Sequence, residues 1–282
     1  MLKHGGTGLL SILQDTFNQV LDGKVPPQSW KKTIIMVLHK SGDPKLPQNY
    51  RPISIIPILY KLFARLLYKR LSPMLDCQQC PDQAGFRAGY STVDHLFALS
   101  QLHEKSYEYQ LNLWIAAVDF RKAFDTIEHS GLWEALANQG VPHAYIELLK
   151  RLYCDQTGQI RTDKMSKQFD ISRGTKQGDP LSSLLFNAIL EHIFRETKQK
   201  WQQKKYGIQT GVSDASRLNN LRFADDVLLI GKTQQQVAKM LDDLQTTARR
   251  FGLSLHPDKT KILTLSQRRV EEHGLDRFPL AT

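Results

Sequence analysis

Two adjacent acids, Asp225 and Asp226, lie between two short apolar runs in residues 221–231. The pattern predicts two strands joined by a tight turn, with both carboxylates at the turn. Carboxylates placed among aliphatic side chains cost several kcal/mol each unless a cation or a hydrogen-bond donor compensates them. Mg²⁺ prefers oxygen ligands and leaves positions open for phosphate, so the hairpin is a candidate magnesium site. Taken alone, the pair is more often an exposed turn.

A third acid follows an uninterrupted apolar run, residues 113–118, which is typical of a strand buried on both faces. Asp119 stands at the end of this run. An acid at the end of a core strand and an acidic hairpin can together hold two metal ions. Two ions about 3.5–4 Å apart stabilise the attacking and leaving oxygens of a phosphoryl transfer. The three acids therefore predict phosphoryl-transfer chemistry.

A polar loop that contains two glycines leads into an apolar-periodic segment over residues 173–193. Asp179 is the predicted N-cap of this helix, with Pro180 at its first position. Gly178 allows the backbone to approach a ligand closely, and the amide of Gln177 can pair with a base edge or another amide. The loop is thus a candidate binding element beside the acids.

These segments resemble the reverse transcriptase domain of non-LTR (LINE-type) retrotransposons, and the resemblance covers nearly the whole chain. Seven blocks stand in the order found in that family. They are residues 30–32 leading to 39–44, residues 49–54, residues 83–87 with 91–95, residues 119–125, residues 177–180, residues 223–226, and residues 252–255 with 259–260. The departures are small: Thr175 replaces a usual aliphatic residue and Ser183 a common proline.

The resemblance implies an α+β fold, namely the fingers and palm of a right-hand polymerase with a small antiparallel sheet flanked by helices. Residues 1–110 would form the fingers, residues 111–266 the palm, and residues 267–282 a tail at the start of a thumb that is largely absent. We therefore expect a fragment of a longer protein, whose thumb and endonuclease domains lie elsewhere, or a degenerate reading frame.

The family's chemistry implies roles for the acids and for one aromatic residue. Asp119 and Asp225 would bind two Mg²⁺ ions, or Mn²⁺, and Asp226 would support them. The substrates would be deoxynucleoside triphosphates (dNTPs), an RNA template and a DNA primer. Phe124 would exclude a ribose 2′-hydroxyl by steric clash; a plain core Phe is the alternative. Asp125 is predicted to be a structural cap.

Other roles are also implied only by the resemblance. Arg51 and Lys40 would contact the triphosphate, although Lys40 can equally face solvent. Gln177 and Gly178 would pack against the nascent base pair, and Lys259 would act as a general acid for the departing pyrophosphate. Template contacts would come from four residues of one block: Gln83, Gly85, Phe86 and Arg87, of which Arg87 would touch the backbone unless it is an ordinary surface Arg.

Composition agrees with a nucleic-acid partner. The 282-residue chain has a formal net charge of +10 and 41% apolar residues, enough for a sizeable core. No apolar stretch has the ~18–20 residues of a membrane span, and no signal peptide is evident. Three cysteines fit a reducing compartment, and Cys77 and Cys80 are expected to be ordinary thiols rather than zinc ligands. A nuclear location follows from the resemblance alone.

Apolar periodicity, capping residues and turn signals predict the surrounding elements. The predicted helices lie in the first 30 residues and at about 57–71, 91–107, 180–193 and 233–251, with two more around Gly140. The predicted strands are residues 33–38, 113–118, 253–255 and 262–265, besides the hairpin. Two other functions stay open: a catalytically inactive nucleic-acid-binding remnant, and a different polymerase such as a group II intron maturase, a retron enzyme or an RNA-dependent RNA polymerase.

Overall fold

The computed structural model describes residues 4–211 and 217–264. The helices in these residues are α1 Gly6–Leu21, α2 Gln28–Lys31, α3 Ile58–Asp76, α4 Thr92–Glu108, α5 Ala123–Thr126, α6 His129–Asn138, α7 His143–Tyr153, α8 Ser182–Gln203 and α9 Gln234–Arg249. The strands are β1 Lys32–His39, β2 Tyr50–Ile55, β3 Trp114–Val118, β4 Gln156–Arg161, β5 Phe169–Ile171, β6 Ile208–Gln209, β7 Arg217–Leu218, β8 Asn220–Phe223, β9 Asp226–Gly231 and β10 Lys261–Thr264. This mixture confirms the predicted α+β class. None of the described helices has the length and apolar character needed to cross a membrane.

One four-stranded sheet, here called the aspartate sheet, has the strand order β10-β3-β9-β8 and is antiparallel throughout. Its two central strands are aliphatic because side chains on both faces are buried. Ala116, Val118 and Leu229 pack on the side of α8 and α9. Ile115 and Ile230 pack on the opposite side, against residues of α4. The sheet is therefore held between helices on both faces.

A second four-stranded sheet, here called the mixed sheet, has the order β2-β1-β4-β5. β1 is antiparallel to β2 and parallel to β4. One of its faces leaves four apolar side chains partly in solvent: Met36, Leu38, Ile53 and Ile55. The predicted division at residue 110 stays a prediction. Strand pairing adds that residues 156–171, which lie beyond that boundary, join the sheet of the first segment.

Helix α8 runs through the centre of the main hydrophobic core, where it packs against α3, α6 and α9. Leu185, Phe186, Ile189 and Ile193 are fully buried on it. Truncating such residues to Ala costs about 2–5 kcal/mol each, because the cavity left behind collapses only partly. This helix fixes the loop that precedes it relative to the aspartate sheet.

Some predicted boundaries are wrong for local reasons. α8 begins at Ser182 and its N-cap position is Leu181, because residues 179–181 form a turn first. Asp179 still accepts a hydrogen bond from the Leu181 N–H at 3.0 Å. Residues 253–255 form no strand, only an isolated bridge at Leu255. The last α-helical residue of α9 is Arg249, and Gly252 terminates the following turn as predicted, since its φ is 82° and the Leu253 N–H donates to the Ala248 carbonyl at 3.1 Å. The tail beyond residue 264 lies outside the described residues.

Candidate active site

The two adjacent acids lie where β8 turns into β9. Phe223 pairs with Asp226 as the last pair of the hairpin, so the turn consists of Ala224 and Asp225. Ala224 has a φ of 58°, in the left-handed region that a residue with a Cβ adopts only at a cost. The predicted strand-turn-strand structure is therefore present, with a strained residue directly before Asp225.

The strand register brings the third acid to the same place. β3 and β9 are antiparallel, and their last pair is Val118 with Val227. The next position on each strand is Asp119 and Asp226, which the register places opposite each other. Residues opposite each other in an antiparallel pair point to the same face of the sheet. Acids more than 100 residues apart in sequence thus share one end of the aspartate sheet.

The electrostatics show that these carboxylates interact. Burial raises the pKa of Asp226, and the charges of Asp225 and Asp119 raise it further. Like charges at this separation disfavour ionisation of one another. A cation bound between the three carboxylates would offset this repulsion.

Asp119 has one close cation within the protein. Lys259 Nζ lies 3.1 Å from Asp119 Oδ2, although the contact lacks the alignment of a hydrogen bond. The Asp119 side chain is 29% exposed. Its backbone carbonyl accepts from the His256 N–H at 2.7 Å, which ties the end of β3 to the segment before β10. Lys259 therefore lies beside the acids, and its expected role as a general acid for the departing pyrophosphate stays a prediction.

The donor set fits Mg²⁺ but is not a closed cage. Within residues 4–211 and 217–264, no three His, Cys, Asp or Glu side chains are arranged to hold a metal ion by themselves. Mg²⁺ does not need such a cage, since it keeps several waters and uses one or two carboxylates together with substrate phosphates. Two observations suit that kind of site. The carboxylates of Asp119, Asp225 and Asp226 repel one another, and Asp119 Oδ2 has no hydrogen-bond partner among the described residues.

Phe124 lies on the short helix α5, directly after the Asp119 strand. Its ring stacks on Phe186 of α8, with centroids 4.5 Å apart, and meets the edge of Phe86 at 6.3 Å. Its carbonyl accepts from the Thr175 N–H at 2.6 Å. The ring is half-buried, so part of it packs in the core and part remains accessible to solvent.

Asp125 does not cap a helix, which corrects the predicted role. It lies inside α5, whose N-cap is Lys122. Burial raises the pKa of Asp125, while the Lys122 charge lowers it. The carboxyl makes no hydrogen bond to any residue that the structure describes.

The polar loop before α8 contacts the mixed sheet. The Ser54 N–H donates to the Gln177 carbonyl at 3.0 Å. Gly178 has a φ of 105°, and a Cβ there would lie 3.2 Å from the Ser54 carbonyl oxygen. A side chain at position 178 would be both strained and crowded. The glycine therefore allows this loop to cross β2, three residues from Arg51.

The loop also carries a buried polar cluster that the sequence analysis did not identify. Lys176 is buried, and its Nζ lies 4.9 Å from the Tyr60 ring centroid. This nitrogen has no hydrogen-bond partner among the described residues. Burial lowers the pKa of Lys176 to about 8, although Asp179 opposes this shift. The Tyr60 hydroxyl donates to Asp179, whose own pKa is raised by burial. Periodicity cannot reveal such a cluster, because its members lie on α3 and on the loop before α8.

Arg51 and Lys40 lie at the end of the β1–β2 hairpin where residues 40–49 connect the two strands. Arg51 pairs with Leu38 in the register, and the Lys40 N–H donates to the Asn49 carbonyl at 2.8 Å. Both side chains are exposed and form no hydrogen bond or ion pair within the part of the chain described. Their positions leave both charges available to a polyanion.

Two of the four predicted template contacts point inward. Gln83 is fully buried and bonds to the backbone of Ala224. The Arg87 side chain is 7% exposed and donates to the Asp76 carboxylate at 2.7 Å and to the carbonyl of Gln83 at 3.0 Å. Neither side chain presents a free donor to a template. Phe86 alone is an exposed large side chain in this block, at 52%.

Gly85 is pressed against the acidic turn. A Cβ at this position would lie 2.0 Å from the Ala224 nitrogen, which no side chain can do without moving the backbone. The lack of a side chain at Gly85 therefore lets this segment pack against the acidic turn, and its contact with the template stays a prediction.

Cys77 and Cys80, in the segment before Gly85, are free thiols.

Comparisons with known proteins agree with this geometry. The family described as "Reverse transcriptase (RNA-dependent DNA polymerase)" matches residues 38–275. The Pol polyprotein of retrotransposable element R2 from Popillia japonica is 30% identical, over 88% of this chain and 34% of its own length. The probable RNA-directed DNA polymerase from transposon X-element of Drosophila melanogaster is 33% identical, over 94% of this chain and 29% of its own length. The chain thus spans about a third of these relatives.

Solved structures with the same fold include telomerase from Candida tropicalis, truncated from its C-terminal domain. The TM-score is 0.59 at 14% identity, over 91% of this chain and 55% of that one. Telomerase from Candida albicans, solved with a fragment of telomeric RNA, gives a TM-score of 0.58 at the same identity. At this identity the likeness shows the fold alone, and it confirms the predicted polymerase architecture.

Proposed function

Because the chain belongs to the reverse transcriptase (RNA-dependent DNA polymerase) family, we propose that it forms the nucleotide-adding centre of a retrotransposon RNA-directed DNA polymerase. The reaction is the template-directed addition of a dNTP to the 3′-hydroxyl of a primer. The observation that carries the proposal is the convergence of Asp119, Asp225 and Asp226 at one end of the aspartate sheet.

Asp119 and Asp225 are the residues that would hold two Mg²⁺ ions, with Asp226 in a supporting position. When bound, such ions favour in-line attack by lowering the pKa of the 3′-hydroxyl and by neutralising charge on the phosphates. The contribution of the protein is to keep the three carboxylates close despite their repulsion. It does so through the β3–β9 register and the β8–β9 turn.

The substrate-binding roles are assigned to residues of the β1–β2 hairpin, of the loop before α8 and of α5. The exposed guanidinium of Arg51 and the ammonium of Lys40 bind triphosphate oxygens, Arg51 with a bidentate fork and Lys40 as a point charge. Gln177 and Gly178 contact the nascent base pair from the loop that crosses β2. Phe124, braced by Phe186, occupies the space that a ribose 2′-hydroxyl would need.

Lys259 is placed to change partners during the reaction. Its ammonium pairs with Asp119 at 3.1 Å and its side chain is 57% exposed. A flexible exposed Lys can leave a carboxylate for a phosphate, because a surface ion pair contributes only about 0–1 kcal/mol. At the departing pyrophosphate it donates a proton to the leaving oxygen.

Primer extension on an RNA template tests the proposal. Asp225→Asn should lower the rate of single-nucleotide addition by roughly a hundredfold or more, since metal-assisted charge stabilisation is worth several kcal/mol. Asp170→Asn, which changes an exposed acid on β5 of the mixed sheet, is the matched control and should retain the wild-type rate. Equal rates for wild type and Asp225→Asn would contradict the assignment of Asp225.

Mn²⁺ binding gives a second readout that needs no template. Water-proton relaxation should detect Mn²⁺ on the wild-type chain and much weaker binding to Asp225→Asn. Salt-sensitive binding to an RNA–DNA duplex, with neither Mn²⁺ binding nor nucleotide addition, would instead indicate the inactive nucleic-acid-binding remnant. Efficient addition of ribonucleotides would favour an RNA polymerase.

A further inference from the structure

The residue that precedes Asp225 is held by a glutamine from a distant part of the chain. Gln83 Nε2 donates to the Ala224 carbonyl at 3.2 Å, and Gln83 Oε1 accepts from the Ala224 N–H at 3.0 Å. The same oxygen accepts from the Gly85 N–H at 2.8 Å. Gln83 is fully buried. One side-chain amide therefore satisfies both backbone polar groups of Ala224; these three bonds are called the Gln83 contact below.

Ala224 needs such a partner because the hairpin does not supply one. The β8–β9 pairing ends at Phe223 and Asp226, so Ala224 lies outside it. Its φ of 58° is unfavourable for a residue with a Cβ, and only 7% of it is exposed. A strained backbone persists where the surrounding structure holds it, and buried backbone groups need hydrogen-bond partners. The Gln83 contact meets both needs at one residue.

The segment that carries Gln83 is itself fixed. The Arg222 N–H donates to the Asp82 carbonyl at 2.7 Å, and the Arg222 carbonyl accepts from the Ala84 N–H at 2.9 Å. These bonds add the segment to the free edge of β8. On its other side, Asn187 of α8 donates to the Gly85 carbonyl at 2.8 Å. Gln83 is thus anchored both to the aspartate sheet and to the central helix.

We propose that Gln83 is a positioning residue, whose amide sets the backbone of Ala224 and thereby the placement of the Asp225 and Asp226 carboxylates. It touches neither nucleotide nor template. This inference rests on the proposed function, because it concerns the same acids. It also replaces the template contact expected for Gln83 from the sequence.

A second buried glutamine provides the matched control. Gln139 is 3% exposed, and its Nε2 donates to the carbonyls of Ala135 and Ala188 at 2.9 and 2.7 Å. It joins α6 to α8 through bonds of the same kind, but none of them involves the acidic turn. Substituting Met at either position removes the amide and keeps a similar volume. Any effect specific to Gln83 then reports on the turn rather than on the loss of a buried amide.

The experiment compares the full chain with Gln83→Met and Gln139→Met. For Gln83→Met we expect kcat for single-nucleotide addition to fall about 10- to 100-fold, as for residues that orient metal ligands, with a parallel loss of Mn²⁺ affinity. The KM values for dNTP and for template–primer should change little. The Ala224 amide, followed by NMR after labelling with ¹⁵N-alanine, should exchange faster. Gln139→Met should leave kcat, Mn²⁺ affinity and Ala224 exchange unchanged, even if it lowers the urea midpoint of unfolding as much as Gln83→Met does.

The outcomes separate the two proposals. Suppose that the wild-type chain adds nucleotides and that Gln83→Met leaves kcat, Mn²⁺ affinity and Ala224 exchange unchanged. This result would overturn the positioning role and leave the proposed function intact. A rise in the KM for template–primer with unchanged kcat would also overturn it, in favour of a template contact. Equal losses of kcat in both variants would show a general effect of stability and equally reject it. A wild-type chain that neither binds Mn²⁺ nor adds a nucleotide contradicts the proposed function itself.

Discussion

Asp226 experiences the repulsion among the three acids, because its pKa is raised by burial and by the charges of Asp225 and Asp119. Its ionised form is therefore less favourable in the folded chain than in the unfolded chain. The free energy of unfolding must then fall as pH rises from the unfolded pKa of about 3.9 through the higher folded pKa. The repulsion among the three carboxylates thus destabilises the folded chain when no cation is bound to them.

This gives a prediction for Asp226→Asn, which removes one charge and keeps the shape. At pH 7 the free energy of unfolding of the variant should exceed that of wild type by up to about 1 kcal/mol. The gain is modest because the carboxyl is only partly buried and solvent screens its charge. The difference should shrink toward zero below about pH 3, where both states of the wild type are protonated. Urea unfolding at both pH values measures it. A destabilised variant at pH 7 would contradict it, and Asp170→Asn should show no comparable dependence on pH.

Phe124 supports a prediction about sugar selection. Phe124→Val opens the space beside the acids, so the preference for dNTPs over ribonucleotides should fall at least about tenfold, as expected when a repulsive contact is removed. The measurement is the ratio of kcat/KM for the two nucleotides, which does not depend on the active fraction. Phe186→Leu, which changes the buried stacking partner, should lose stability while keeping the ratio. An unchanged ratio in Phe124→Val would leave Phe124 as a core residue.

At the scale of elements, the loop before α8 joins three parts of the molecule. Its residues bond to β2 through Gln177 and to α5 through Thr175, and its buried cluster reaches α3 through Tyr60. Burial of Lys176 lowers its pKa to about 8 from 10.5. The unfolded chain therefore binds more protons than the folded chain between these values, and stability rises with pH across that window. Below about pH 8 the full cost of a buried ammonium is present.

We accordingly predict that Lys176→Met is more stable than wild type at pH 7, by about 1–2 kcal/mol, because a pKa unit corresponds to about 1.4 kcal/mol and Asp179 loses a nearby cation in exchange. The difference should close as pH rises from 8 to 10.5. Urea unfolding at pH 7 and pH 10 checks this. Lys167→Met, which changes an exposed lysine beside β5, should show no such dependence on pH. A less stable Lys176→Met at pH 7 would mean that the ammonium has an unseen favourable partner.

At the scale of the whole molecule, the net charge of +10 and the exposed cations at Lys40 and Arg51 suit a polyphosphate partner. Binding to an RNA–DNA duplex should weaken at least about tenfold between 50 and 200 mM salt, since release of counterions from as few as two phosphate contacts produces that loss. Fluorescence anisotropy with a labelled duplex measures the slope. An oligonucleotide with an uncharged morpholino backbone should not compete. Affinity independent of salt would contradict a phosphate-based interface.

Local sequence patterns predicted most helices and the acidic hairpin, because both depend on near neighbours. The turn at residues 224–225 follows from two flanking apolar runs, and α4 from the Ser91–Asp94 capping box, which the structure contains. Errors arose where a contact from elsewhere decided the outcome. β4 and β5 were not predicted, since short polar strands show no clear periodicity until β1 pairs with them.

Residue type and near-neighbour spacing suffice to predict the family, the three acids and the strands that end at them. What the side chains contact became known from the folded chain. Its packing buries Gln83 and Arg87, which were expected to contact the template, and its strand register places Asp119 opposite Asp226. Hydrogen-bond partners, burial and like-charge repulsion depend on distances between residues far apart in the chain. No local pattern encodes those distances.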